Sequence, residues 1–137
     1  MKHFTSLVAI SLFALAGCKK VDMVNPSDKE LFGEWRYVSS SGGYGGSGHT
    51  GMDNNDCIEF KQNGKYLRSE NGKKTGDGCF KFDTYKCIHG SVHDNYGTIA
   101  YMQKKVISYY ASFKVSNDTL YLDAEAHDGI SYVYVRK

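Results

Sequence analysis

From residue 33 onward the chain alternates apolar and polar residues in short runs separated by turn-forming pairs. The clearest run is 106–115. Ile107, Tyr109, Ala111, Phe113 and Val115 fall on one face, and Ser108, Tyr110, Ser112 and Lys114 on the other. A period of two is the mark of a strand with one buried face. The same reading predicts strands over 33–39, 57–61, 65–70, 74–83, 96–103, 119–125 and 130–136. Asn63-Gly64, Asn71-Gly72, Asn117-Asp118 and His127-Asp128-Gly129 mark turns between them. No helix of any length is predicted.

Eight short strands in hairpin order predict an all-β fold, an up-and-down barrel or a sandwich. The barrel is preferred because closure removes exposed sheet edges. The expected fold is an eight-stranded up-and-down antiparallel β-barrel with no C-terminal helix. Two stretches interrupt the pattern. Residues 40–56 form a long connection in which six of the ten residues 42–51 are Gly, so no regular element is expected there. Residues 87–95 take no clear assignment.

The first 17 residues are a different kind of sequence. Met1-Lys2-His3 is basic and is followed by a mostly apolar run to Leu15, about a dozen residues. A membrane-spanning helix needs roughly 20. Leu15-Ala16-Gly17-Cys18 then places small residues before a Cys. The arrangement resembles the leader and cleavage box of bacterial lipoproteins. That resemblance implies a signal peptide over 1–17, cleavage before Cys18, and lipidation of Cys18. Residues 18–29 read as a tether and 30–137 as the folded domain. The implied location is the outer membrane, lipid-anchored. Lys19 and Lys20 follow Cys18 where some surface-displayed lipoproteins carry acidic residues, which favours the periplasmic side.

Charge narrows the partners. The 17 basic residues nearly balance the 15 acidic ones, and Lys2 leaves with the leader. No basic face emerges, so nucleic acid is not an expected partner. The domain is expected to be a monomer that meets the membrane only through its anchor.

The domain itself resembles the lipocalin superfamily, and within it the small lipocalin-like lipoproteins of Gram-negative bacteria. The residues that carry this are Leu31-Phe32-Gly33-Glu34-Trp35, Ser41-Gly42-Gly43, and Ile58-Glu59-Phe60-Lys61-Gln62-Asn63-Gly64-Lys65-Tyr66. Cys87-Ile88-His89, Asp118-Thr119-Leu120-Tyr121-Leu122 and the end from Asp128 to Arg136 add to it. The resemblance implies that Gly33 and Trp35 mark the closed end of a barrel and that Arg136 packs on the indole. It also implies a small hydrophobic ligand held inside.

Motifs of other chemistries fail on context. Gly43-Tyr44-Gly45-Gly46-Ser47-Gly48 fits a dinucleotide-binding pattern, but a β-hairpin follows where a helix is required. Cys87, His89, His93 and Asp94 do not have a zinc spacing. Asp53, Asn55 and Asp56 lack the Gly and distal Glu of a calcium loop. No nucleophile stands beside a base, and His49, His89, His93 and His127 fall in loops. No catalytic residues, no metal and no cofactor are expected.

With Cys18 acylated, Cys57, Cys79 and Cys87 remain, enough for one internal bridge. The compartment is oxidising. A turn near Asp83 sets Cys79 opposite Cys87, which favours that pair. A bridge from Cys57 to either, or no bridge, are the alternatives. The aromatic residues fall in register on the inner faces, and Phe60, Phe80, Phe82, Tyr109, Phe113 and Tyr132 are the candidate pocket. Two functions follow: a binder of a small hydrophobic molecule, or a filled barrel using its loop and outward Tyr110 and Tyr121 on a protein or glycan.

Overall fold

A computed structural model describes residues 17–43, 49–50, 55–84, 96–124 and 128–137. The strands are β1 (Gly33–Gly42), β2 (His49–Thr50), β3 (Cys57–Phe60), β4 (Lys65–Glu70), β5 (Lys73–Asp83), β6 (Gly97–Gln103), β7 (Val106–Ser116), β8 (Thr119–Ala124) and β9 (Ile130–Arg136). All pairs are antiparallel and, β2 apart, sequential neighbours. β1 also pairs with β9, which closes the sheet. The result is an eight-stranded up-and-down barrel, with β2 a two-residue addition to β1. The eight predicted strands lie within a few residues of these bounds.

Turn chemistry sets the register. Asn71 and Gly72, and Asn117 and Asp118, each take positive φ at both central positions. That is the two-residue turn whose twist matches the flanking strands. Lys104 and Lys105 adopt the same shape between β6 and β7. Lysine has no preference for it, so the strands hold this turn rather than the reverse. A bulge pairs Met102 with Ile107 and Tyr101 with Tyr109. It carries Ile107 to the face opposite Tyr109, where simple alternation had placed the two together.

The core fills one end of the barrel. Trp35, Ile58, Phe60, Phe80, Phe82, Ile99, Phe113, Leu120 and Leu122 are buried there with Leu31. Rings meet edge-on: Phe60 and Phe80 at 5.1 Å, Phe80 and Phe82 at 5.8 Å, Phe32 and Phe82 at 5.8 Å. Such offset contacts each add about 0.5–1.5 kcal/mol beyond burial.

A short 3₁₀ helix, Pro26–Leu31, caps this end. Trp35 Nε1 donates to Leu31 O at 2.8 Å. The Arg136 guanidinium lies 4.2 Å from the indole centroid. It donates to Asp118 Oδ1, Phe32 O and Glu30 O at 2.9, 3.2 and 3.1 Å. Gly33 explains itself here. Its φ is +129°, and a Cβ would stand 3.1 Å from Arg136 Nη1. A side chain at 33 would push the guanidinium off the indole.

The segment before the barrel is packed against it rather than hanging as a tether. Val21 is buried and its N–H donates to Gln62 O at 3.2 Å. The Lys19 carbonyl lies against the bare Cα of Gly64. Asp28 is buried and its carboxylate accepts from the N–H groups of Val24 and Asn25, both at 2.7 Å.

This docking brings Cys18 alongside β5, where it is disulfide-bonded to Cys79 with the Cα atoms 5.6 Å apart. The expected Cys79–Cys87 pair is thereby corrected. Reading Cys18 as acylated had removed its sulfur from the possible partners of Cys79. Cys87 itself lies outside the described residues, as do Ile88, His89, His93 and Asp94. So do Asp53, the side chain of His49, His127, residues 44–48, and residues 1–16 of the leader expected over 1–17. Cys57 is a free, buried thiol whose pKa is raised by that burial.

Candidate functional site: the tyrosine-lined half of the barrel

Inner faces change character along each strand. β3 pairs with β4 so that Phe60 stands opposite Tyr66 and Ile58 opposite Arg68. β5 then answers Tyr66 with Gly78 and Arg68 with Gly76. On β6 and β7 the pair is Tyr101 and Tyr109. On β1 and β9 it is Tyr37 with Tyr134, then Ser40 with Tyr132. Moving away from Trp35, phenyl and aliphatic groups thus give way to tyrosines, one arginine and glycines.

The tyrosines form two sets. Tyr101 stacks on Tyr109 at 4.4 Å between centroids and meets Tyr66 edge-on at 4.9 Å. Tyr134 meets Tyr37 at 5.8 Å and Tyr132 at 6.2 Å. Tyr37 O–H and Ser40 Oγ are hydrogen-bonded at 2.9 Å. Gly78 makes room for Tyr66, whose ring lies within 3 Å of where a Cβ would be. At Gly76, among the described residues, only the Cβ of Arg68 comes within 4 Å of that point, so the described wall beside the arginine is bare.

Arg68 reaches this space from β4. Its Nη2 is 3.5 Å from the Tyr109 hydroxyl, and its guanidinium carbon is 5.9 Å from the Tyr66 centroid. Among the described residues no carboxylate forms an ion pair with it. Burial raises the phenol pKa of Tyr101 well above its ordinary value, and those of Tyr134 and Tyr109 as well. All three therefore remain O–H donors at neutral pH. Tyr101 is 1% exposed and its hydroxyl has no hydrogen-bond partner.

The six candidate pocket residues divide between the two ends. Phe60, Phe80, Phe82 and Phe113 are buried in the packed floor. Tyr109 and Tyr132 stand in the tyrosine-lined half, and Tyr109 is 41% exposed. Arg68 was missed, because a charged residue in an alternating run reads as solvent-facing. The available signal was its position two residues after Tyr66, in the hairpin register set by Asn63-Gly64. Among the described residues no group of three His, Cys, Asp or Glu side chains could hold a metal ion.

No protein-family model, curated protein or solved structure matches this chain. The reading of its function rests on the barrel itself.

Proposed function

We propose that this chain is a non-enzymatic, lipocalin-like binding barrel, anchored to a membrane through Cys18, that holds a small hydrophobic molecule in its tyrosine-lined half. One observation carries the reading. A closed barrel packs its floor with phenyl rings and then abandons that chemistry for tyrosines, an arginine and an inner-face glycine. An interior serving stability alone has no need of phenols, whose hydroxyls cost free energy to bury. A mostly apolar recess with a few polar groups is how small ligands are held.

The anchor rests on the leader and on Gly17-Cys18. A sulfur bonded to Cys79 carries no acyl chain, so the bonded and anchored forms exclude one another. In the anchored form Cys79 is a free thiol beside the lipid. Cys79 pairs with Lys65, at the floor end. Acyl chains there turn the floor toward the bilayer and the mouth toward water.

Native mass spectrometry of protein purified from membranes tests both parts. The expected result is a co-purifying small molecule and an acylated Cys18 peptide with Cys79 open to alkylation. An intact Cys18–Cys79 bond in that material would remove the anchor. A bare barrel that also fails to take up a naphthalene probe would remove the ligand. The packed floor favours a second reading in that event. It is a filled barrel that meets a protein or glycan through outward residues such as Tyr121, which is 40% exposed.

A further inference from the structure

We infer that the tyrosine-lined half recognises a small aromatic carboxylate, its anion on the Arg68 guanidinium and its ring among Tyr66, Tyr109 and Tyr132. The inference deepens the binding reading and rests on it. Its first support is the state of Arg68. A guanidinium carries five N–H donors in a planar fork. Here Arg68 is exposed at the mouth and makes one protein hydrogen bond, to the Tyr109 hydroxyl at 3.5 Å, at the long limit of such a bond. No carboxylate among the described residues pairs with it. A carboxylate is the partner whose two oxygens match that fork.

The second support is independent. The Tyr101 hydroxyl belongs to the same cluster, is fully buried and has no partner. It is a donor held in place with nothing to donate to. The phenols around the guanidinium stay protonated at neutral pH, so among the described residues no anion is paired with Arg68. The site supplies positive charge and O–H donors.

Shape and ring chemistry select among anions. Opposite Arg68, Gly76 leaves the wall bare. The neighbouring surfaces are aromatic, and Tyr109 is already stacked on Tyr101. A flat ring extends that stack at low entropic cost.

The test is calorimetric titration of the purified protein with 2-naphthoate and with its neutral counterpart 2-naphthamide. Wild type should bind the naphthoate at least about tenfold more tightly, the scale of one charge-assisted contact. Arg68→Gln should erase that preference and leave the naphthamide unchanged. Gly76→Leu, which fills the bare wall, should weaken both ligands. A denaturation midpoint for each variant confirms folding. Equal binding of the two ligands by wild type would overturn the anion inference and leave the binding barrel standing. So would an Arg68→Gln variant that keeps the preference. Failure of wild type to bind either ligand would bring down both.

Discussion

The floor and the mouth of this barrel are built from the same strands, and the change between them takes two residues. On β5, Phe82 and Phe80 are followed inward by Gly78 and Gly76; on β4, Tyr66 is followed by Arg68. At the floor the phenyl rings meet one another edge-on, and the polar groups are used apart from the buried Asp28 Oδ1. Trp35 N–H reaches Leu31 O, and Arg136 satisfies three acceptors while covering the indole. At the mouth a guanidinium is barely used and a buried hydroxyl is not used at all. The floor is organised for stability, where unsatisfied groups are costly. The mouth keeps a buried hydroxyl without a partner, a feature that the proposed binding role would use.

The comparison breaks most readily at Trp35. Trp35 is fully buried under Arg136. Trp35→Ala should lower stability by about 3–5 kcal/mol. Tyr109→Ala, an aromatic of the mouth that is 41% exposed, should cost far less, below about 1 kcal/mol. Urea midpoints of the two variants decide it. Equal losses would mean that the mouth is packed like the floor.

A smaller effect is expected at Gly97. A Cβ there would overlap the Phe113 ring, which is itself buried against Phe82 with centroids 5.9 Å apart. The ring has nowhere to swing. Gly97→Ala should therefore cost about 1–3 kcal/mol through overpacking. Gly76→Ala, facing the open wall of the mouth, should stay within about 0.5–1 kcal/mol of wild type, since nothing there must move. A Gly97→Ala variant as stable as Gly76→Ala would show that the floor can yield.

How much of this was legible in the sequence differs between the same two regions. The floor was readable. Period-two alternation located all eight barrel strands, and Asn63-Gly64, Asn71-Gly72 and Asn117-Asp118 located three of their turns. The Gly33–Trp35 stretch and Arg136 fall at one end because the first and last strands pair. The mouth was not readable, for two physical reasons. Arg68 obeys the alternation and is exposed, so nothing in the sequence sets it apart from an ordinary surface charge. The bulge opposite Tyr101 shifts Ile107 by one place, and one extra residue leaves no mark on composition. One part of the floor was not readable either: the docking of residues 18–31 depends on a bare Cα at Gly64 and on the buried Val21, whose N–H reaches Gln62 O, with no periodicity to announce it. The Cys18–Cys79 bond was missed because Cys18 had been read as acylated.

Alkaline titration sharpens the contrast, because the mouth holds the buried phenols and the floor holds phenyl rings. Tyr101 and Tyr134 are raised above the ordinary phenol range chiefly by burial, and Tyr109 likewise. In the unfolded chain these groups ionise near pH 10; in the barrel they remain protonated. The folded state then holds more protons, so stability is complete below about pH 10 and declines as the pH rises through the folded values. The decline is at most about 1.4 kcal/mol per pH unit for each tyrosine. Urea midpoints at about pH 9, 10 and 11 should fall in that order. Tyr134→Phe should flatten the trend by one tyrosine's share. An unchanged slope in that variant would mean that Tyr134 ionises freely in the folded barrel.

The smallest effect on stability is the most informative about purpose. The Tyr101 hydroxyl is buried without a partner. Removing it deletes an unsatisfied group and leaves the ring, with its stack on Tyr109 and its edge contact to Tyr66, in place. Tyr101→Phe should therefore leave stability unchanged or raise it by up to about 1 kcal/mol. A hydroxyl that served the fold would show the opposite sign. If the mouth is a recognition site, the same variant should bind 2-naphthoate more weakly than wild type does. Stability and binding then move in opposite directions from the loss of one oxygen atom. A Tyr101→Phe barrel that is less stable would place Tyr101 with the floor, as a structural residue, and dissolve the division between the two halves at that position.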